Sequence, residues 1–166
     1  MKYLVCALVL MAAAVPAVAD EPKADDLLKK GFEAAKKGDK HVFLVFRAGD
    51  PISATFDRFH ADADVKKTLE KYFVVVPIHV MDNEGGADLY GKYGGGDRGF
   101  PAWTILSKDS KVVGDSGDTG NNVGYPVEES EIEHYFKEFK KAYPKLAEAD
   151  VELLTKKFKA IKPDMN

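Results

Sequence analysis

Cysteine is almost absent: the 166-residue chain has one, Cys6. No disulfide can close within it, and no CxxC or Cys/His pair is available for thiol or zinc chemistry. No apolar run reaches the roughly 18 residues at which a spanning helix is suspected. There is no excess of positive charge either. The formal net charge is −3, and lysines alternate with acids as in Lys36-Lys37-Gly38-Asp39-Lys40, so nothing favours a nucleic-acid backbone or an anionic membrane. The four histidines, His41, His60, His79 and His134, lack the i, i+4 spacing of a helical metal site and read as surface or strand-end residues. Gly94-Gly95-Gly96 has no Lys-Ser or Lys-Thr after it, which argues against a phosphate loop. Internal repeats and low-complexity tracts are also missing.

What is present begins with Lys2, an apolar run from Tyr3 to Val15, and Ala17-Val18-Ala19 before Asp20. That is the pattern of a secretory signal peptide with an A-x-A cleavage site, and it predicts a periplasmic or secreted protein starting at about Asp20. Cleavage would remove Cys6 and shift the net charge to −4. An exported domain without disulfides must be held by its core alone. At 45% hydrophobic and 31% charged residues the composition supports such a core.

Periodicity predicts a helix over 24–37 closed by Gly38, with Leu27, Leu28, Phe32 and Ala35 on its apolar side. The continuous run His41 to Phe46 predicts a strand buried on both faces. Asp50 suits an N-cap and Pro51 the first helical position, so a helix is expected to about His60, with a second piece capped by Asp62 or Asp64. Phe73 to Val80 reads as another buried strand, bulged or irregular at Pro77. A short helix over 87–93 precedes the glycine-rich stretch, and Trp103–Leu106 with Lys111–Val113 form an antiparallel hairpin. Residues 114–127 read as a functional flap or a flexible connection. Two amphipathic helices, over 128–143 and 149–161, end the chain. Pattern alone gives an α/β sandwich with a mixed sheet.

Three motifs in this order resemble the thioredoxin superfamily, most closely its exported bacterial members. Val42-Phe43-Leu44-Val45-Phe46-Arg47-Ala48 is similar to the strand leading into the family's W-C-x-x-C site. Lys92-Tyr93-Gly94 with Arg98-Gly99-Phe100-Pro101 resembles its Y-G-x-x-G-I-P segment, and Lys108 to Val113 its D-x-D-G-K-V hairpin. The resemblance implies a thioredoxin-like three-layer α/β sandwich with a mixed central sheet and an extra C-terminal helix. It divides the chain into a signal peptide (1–19), a thioredoxin-like domain (20–146) and a C-terminal helical extension (147–166). It also implies a cis Phe100–Pro101 bond facing the former redox site.

Against that pattern, W-C-x-x-C falls on Asp50, Pro51, Ile52, Ser53 and Ala54, so both cysteines are missing, and the family's buried acid falls on Val45. A helix N-terminus that would stabilise a thiolate instead receives a permanent carboxylate. The expectation is a non-redox protein, binding extended polypeptide or another exported protein in a groove built from Asp50–Ala54, Gly99, Phe100, Pro101, Ala102 and Tyr125. Thiol–disulfide oxidoreductase activity is not expected, and neither cofactor nor metal is expected.

Two other classes compete. One is an enzyme of hydrolase or metal-assisted type, using Asp50, Ser53 or acids of the Asp115–Asn121 loop, where glycine and threonine stand in place of calcium-binding acids. The other is a structural domain whose groove is filled by its own flap or C-terminal helix. The signal-peptide reading has a direct check: exported protein should have the intact mass of a chain beginning at Asp20, and material retaining Met1 would overturn it.

Overall fold

The computed structural model describes residues 21–163 except Thr119; the expected signal peptide lies outside the described residues. In chain order the elements are α1 (Ala24–Gly38), β1 (His41–Arg47), α2 (Pro51–Ala61), α3 (Ala63–Tyr72), β2 (Phe73–His79), α4 (Gly86–Tyr93), β3 (Ala102–Leu106), β4 (Val112–Asp115), β5 (Gly117–Asp118), β6 (Asn121–Asn122), α5 (Glu129–Ala142) and α6 (Glu148–Ala160).

The main sheet has the order β2-β1-β3-β4. β1 pairs parallel with β2 and antiparallel with β3, and β3 pairs antiparallel with β4, so the sheet is mixed. Val42 to Phe46 are all buried, and their alternation feeds two cores. Val42, Leu44 and Phe46 point toward α1 and α4, where Leu28, Ala35 and Leu89 meet them. Phe43 and Val45 point the other way, into an aromatic core with Phe56, Phe59, Trp103, Tyr135, Phe139 and Phe158. Helix, sheet and helix thus form three layers.

Local chemistry accounts for most boundaries. α1 carries Asp25 and Asp26 in its first turn and Lys36 and Lys37 in its last, matching the helix dipole. Gly31 lets it lie close to the sheet, because a Cβ there would collide with Val76. The helix is closed one residue later than expected: Gly38 is its last residue, and Asp39 takes the left-handed position at φ 50°, a conformation Asp tolerates better than most residues. Asp62, and not Asp64, caps α3 by accepting from the N–H groups of Asp64 and Val65.

β2 differs from expectation. It is the edge strand and only partly buried. Pro77 makes no bulge; it pairs in continuous register with Val45 and is exposed. An edge strand has a free side on which a missing N–H costs no ladder bond.

Residues 114–127 are not a free flap. β4 extends to Asp115, and β5 and β6 form a small hairpin. The Trp103 indole N–H lies 3.1 and 3.0 Å from the carbonyls of Val123 and Gly124. Val123, Gly124, Tyr125 and Pro126 are buried as a result. The C-terminal helix is equally bound in: Phe158 stacks on Phe59 with ring centroids 4.0 Å apart.

Two histidines read as surface or strand-end residues are covered, His134 almost wholly and His60 in part. His134 is 7% exposed. His60 packs among Phe43, Phe56 and Phe59, its centroid 4.3 Å from that of Phe56, and its Nε2 is screened from solvent. Burial, with the Arg47 guanidinium adding to it, pushes the His60 ring down to about 3. An unfolded histidine takes its proton near pH 6.5, so between that pH and about 3 the unfolded chain binds one proton more. Stability should therefore fall as pH drops through this window, by up to about 1.4 kcal/mol per pH unit. His60→Phe should flatten the slope of urea-unfolding free energy between pH 6 and 4 (about one proton's worth); an unchanged slope would place the acid sensitivity elsewhere.

Candidate functional site

The start of α2 is organised by one carboxylate. Asp50 Oδ1 accepts from the N–H groups of Ile52 and Ser53 at 3.0 and 2.8 Å, and Oδ2 accepts from the Ser53 hydroxyl at 2.5 Å. Ser53 Oγ in turn accepts from the Ala48 N–H at 3.2 Å, and the residue is fully buried. Pro51 occupies the first turn, where its missing N–H costs nothing. The helix start is satisfied within itself, and the Ser53 oxygen faces no substrate. Beneath it, Val45 is 1% exposed and packs in the aromatic core.

The turn before β3 approaches this helix start. The Phe100–Pro101 bond is cis, as the resemblance implied. The Pro101 carbonyl accepts from the Asn122 side-chain amide at 2.7 Å. The Gly99 carbonyl accepts from the Tyr90 hydroxyl and the same amide, each at 3.3 Å. Gly124 lies so close over Pro101 that a Cβ would collide with the Pro101 carbonyl. Among the described residues, no hydrogen bond engages the N–H or the C=O of Phe100.

Between these elements lies a groove of about 540 Å³ lined by Ile52, Phe100, Pro101 and Tyr125. Four of the ten expected site residues are thus brought together. Asp50, Pro51 and Ser53 build the adjoining helix start without lining the groove, and Gly99 and Ala54 are exposed beside it. Ala102 turns into the core on the α1 side. Tyr125, expected as a contact residue in a polar loop, is 5% exposed; its ring packs on Phe56, Phe59 and Phe158. Burial pushes its hydroxyl up to about 12, with Arg58 opposing, so it acts as a neutral donor.

Sequence reading missed the rest of the wall. Glu128 and Glu131 at the start of α5, and Lys162 and Pro163 after α6, also line the groove. The Glu131 carboxylate accepts from the Val127 and Glu128 N–H groups at 2.7 and 3.0 Å, and the spacing of the two glutamates is that of a capping pair visible in the sequence. Nothing local marks Lys162 and Pro163. They are brought there by Tyr125, whose hydroxyl donates to the Ile161 carbonyl at 2.5 Å, and by Arg58, which donates to the Lys162 carbonyl at 3.2 Å. Among the described residues, no three His, Cys, Asp or Glu side chains gather as metal ligands would.

No family model matches the chain, and no curated protein matches it. Among solved structures it is similar to the disulphide isomerase from Xylella fastidiosa Temecula1, with 21% identity and a TM-score of 0.51 over 89% of this chain and 98% of that one. A likeness at this identity is one of fold, and the fold is thioredoxin-like.

The helix start offers a graded test. Asp50→Ala removes the cap and leaves the Ser53 hydroxyl without its acceptor, and should lower unfolding free energy by about 1–2 kcal/mol. Asp50→Asn keeps an acceptor oxygen and should retain most of the stability. Equal denaturation midpoints for wild type and Asp50→Ala would mean that packing alone holds α2.

Proposed function

We infer that this chain is an exported thioredoxin-fold module without thiol chemistry, which holds an extended polypeptide against the Phe100–Pro101 turn. The observation that carries the reading is the Phe100 peptide group: its N–H and C=O, without partners among the described residues, border a groove floored by Ile52, Pro101 and Tyr125. An extended chain can pair with such a group through its own main chain, while apolar side chains settle on the floor. That mode of binding needs no cysteine, and no cysteine follows Cys6. The 21% identity to a disulphide isomerase supports the scaffold and not that protein's reaction.

A structural reading has its own observation. The Tyr125 and Arg58 bonds place the chain's own tail along one wall of the groove, so the tail can compete for the site. The enzyme reading has less support at Ser53, which is buried and whose hydroxyl donates to Asp50.

The test is titration of the 15N-labelled protein with unstructured, cysteine-free peptides containing aromatic residues. Amide shifts should centre on Ile52, Phe100 and Tyr125, and Ile52→Glu should weaken binding at least about tenfold. Shifts confined to other surfaces, or affinity indifferent to Ile52→Glu, would overturn the reading. A chain ending at Ala160 separates the alternatives: a severalfold gain in peptide affinity marks the tail as a competitor, and a loss of affinity marks it as a wall that the peptide uses.

A further inference from the structure

The turn that carries Phe100 is reached through a stretch without regular structure. Tyr93 ends α4, and Gly94-Gly95-Gly96-Asp97-Arg98-Gly99 runs from there to Phe100. Gly95, Gly96 and Gly99 take positive φ values of 82°, 69° and 82°. Glycine adopts these at no steric cost, but a glycine-rich segment gives up much conformational freedom in holding one shape. The Gly94 N–H donates to the Tyr90 carbonyl at 2.7 Å, and the Gly99 carbonyl accepts from Tyr90 and Asn122. Between these two points no main-chain group is hydrogen-bonded among the described residues. Four of the six residues are glycine, and Asp97 makes no hydrogen bond there. The side chain that anchors the stretch is Arg98.

Its Nη1 donates to Asp115 Oδ1 at 2.8 Å, and the same oxygen accepts from the Gly117 N–H at 2.7 Å. Two glycines make room for the side chain. A Cβ on Gly95 would collide with Arg98 Cδ, Nε and Cζ, and one on Gly117 with Nη1, Cζ and the Asp115 carboxylate. Gly117 is not among the glycines with positive φ, so its backbone does not call for glycine; the guanidinium and its carboxylate fill the space a side chain would take. Arg98 thus ties the glycine stretch to the end of β4 and the start of β5. The paired side chains are 36% and 38% exposed, an exposure at which an ion pair adds little to global stability. Its effect is local: it restrains a segment that main-chain bonds leave loose.

We propose that Arg98 is a positioning residue for the groove: its clip to Asp115 and Gly117 holds the Phe100 peptide group where a bound chain meets it. The proposal rests on the reading of that groove as a polypeptide site. Beyond Phe100 the turn is well held, since the Phe100 ring rests on Tyr90 with centroids 4.8 Å apart and the Pro101 carbonyl accepts from Asn122 at 2.7 Å. Before Phe100 it is not. The Phe100 N–H shares one rigid plane with the Gly99 carbonyl, and the two bonds to that carbonyl are long, 3.3 Å each. The residue behind the plane is a glycine, which turns freely. Arg98 fixes the far side of that glycine with a shorter, charge-assisted bond. A peptide group set in advance is paired without the cost of ordering it; once loosened, it must be ordered by the guest, and affinity falls although every contact in the groove is kept.

Relaxation of 15N in the peptide-free protein reads the clip directly. In the wild type the Gly99 and Phe100 amides should be as rigid as those of the sheet. Arg98→Met, which keeps the apolar stem and removes the charge, should bring their order parameters below about 0.6 while the urea midpoint stays in place. Gly117→Ala leaves Arg98 and Asp115 intact but fills the guanidinium's place; it should have the same effect, and the double variant should go no further than either change alone. Arg98→Lys, with the charge but not the flat donor group, should recover part of the order. Unstructured, cysteine-free peptides containing aromatic residues should bind both single variants at least about fivefold more weakly than the wild type. Unchanged amide order in both variants, or a urea midpoint that falls in step with affinity, would overturn the proposal. If the amides loosen and the wild type binds no peptide, the clip stands and the reading of the groove falls. Equal peptide binding by wild type and variants overturns the clip and leaves that reading standing.

Discussion

Strand β1 presents Val42-Phe43-Leu44-Val45-Phe46 to the interior on both faces, and a strand with no polar side must be covered twice. Helices α1 and α4 supply one cover, and α2, α3, α5 and α6 supply the other. With no disulfide available, the thicker layer has to provide most of the cohesion, and it does so with rings. Phe43 alone meets Phe73, Trp103, Tyr135 and Phe139 at centroid distances between 5.3 and 6.3 Å. Edge-to-face and tilted contacts of this kind add to simple area burial. The terminal helix α6 contributes Leu154 and Phe158 to the same cluster, so sheet and C-terminal segment share one hydrophobic body.

The sequence disclosed those features whose causes are local. Asp50, Pro51 and Asp62 announce helix starts through their own side chains, and the apolar run of β1 announces a doubly covered strand. Features set by distant partners stayed hidden. His60 and His134 look like any surface histidine until the rings around them are known. The stretch from Gly114 to Val127 looks loose because its anchor, the Trp103 indole N–H, lies 20 and 21 residues before the Val123 and Gly124 carbonyls it holds. Pro77 suggests a bulge or an irregular end because nothing in its neighbourhood says that β2 ends the sheet. The same division runs through the site: the helix start and the proline turn were legible, while the groove wall built by Lys162 and Pro163 depends on two long-range hydrogen bonds.

The start of α2 is ordered by its own side chains. A helix N-terminus attracts negative charge, and here an aspartate supplies it with its oxygens fully engaged by neighbouring donors. An acid beneath the helix would be a buried charge with no proton to move, and Val45 contributes packing there instead. Among the described residues, the groove next to it keeps one peptide group, that of Phe100, without hydrogen-bond partners.

The two bonds that hold the tail, from Tyr125 and Arg58, both end on main-chain carbonyls. Carbonyls are the same in every residue, so the bond from Arg58 does not depend on which side chain stands at Lys162, whereas Ile161 also packs on the aromatic core and Tyr125 and Arg58 supply the donors. For the experimenter the feature has a practical face. A substitution at Tyr125 or Arg58 would free Lys162 and Pro163 from the groove wall, so either position reports on the tail from far away in the sequence.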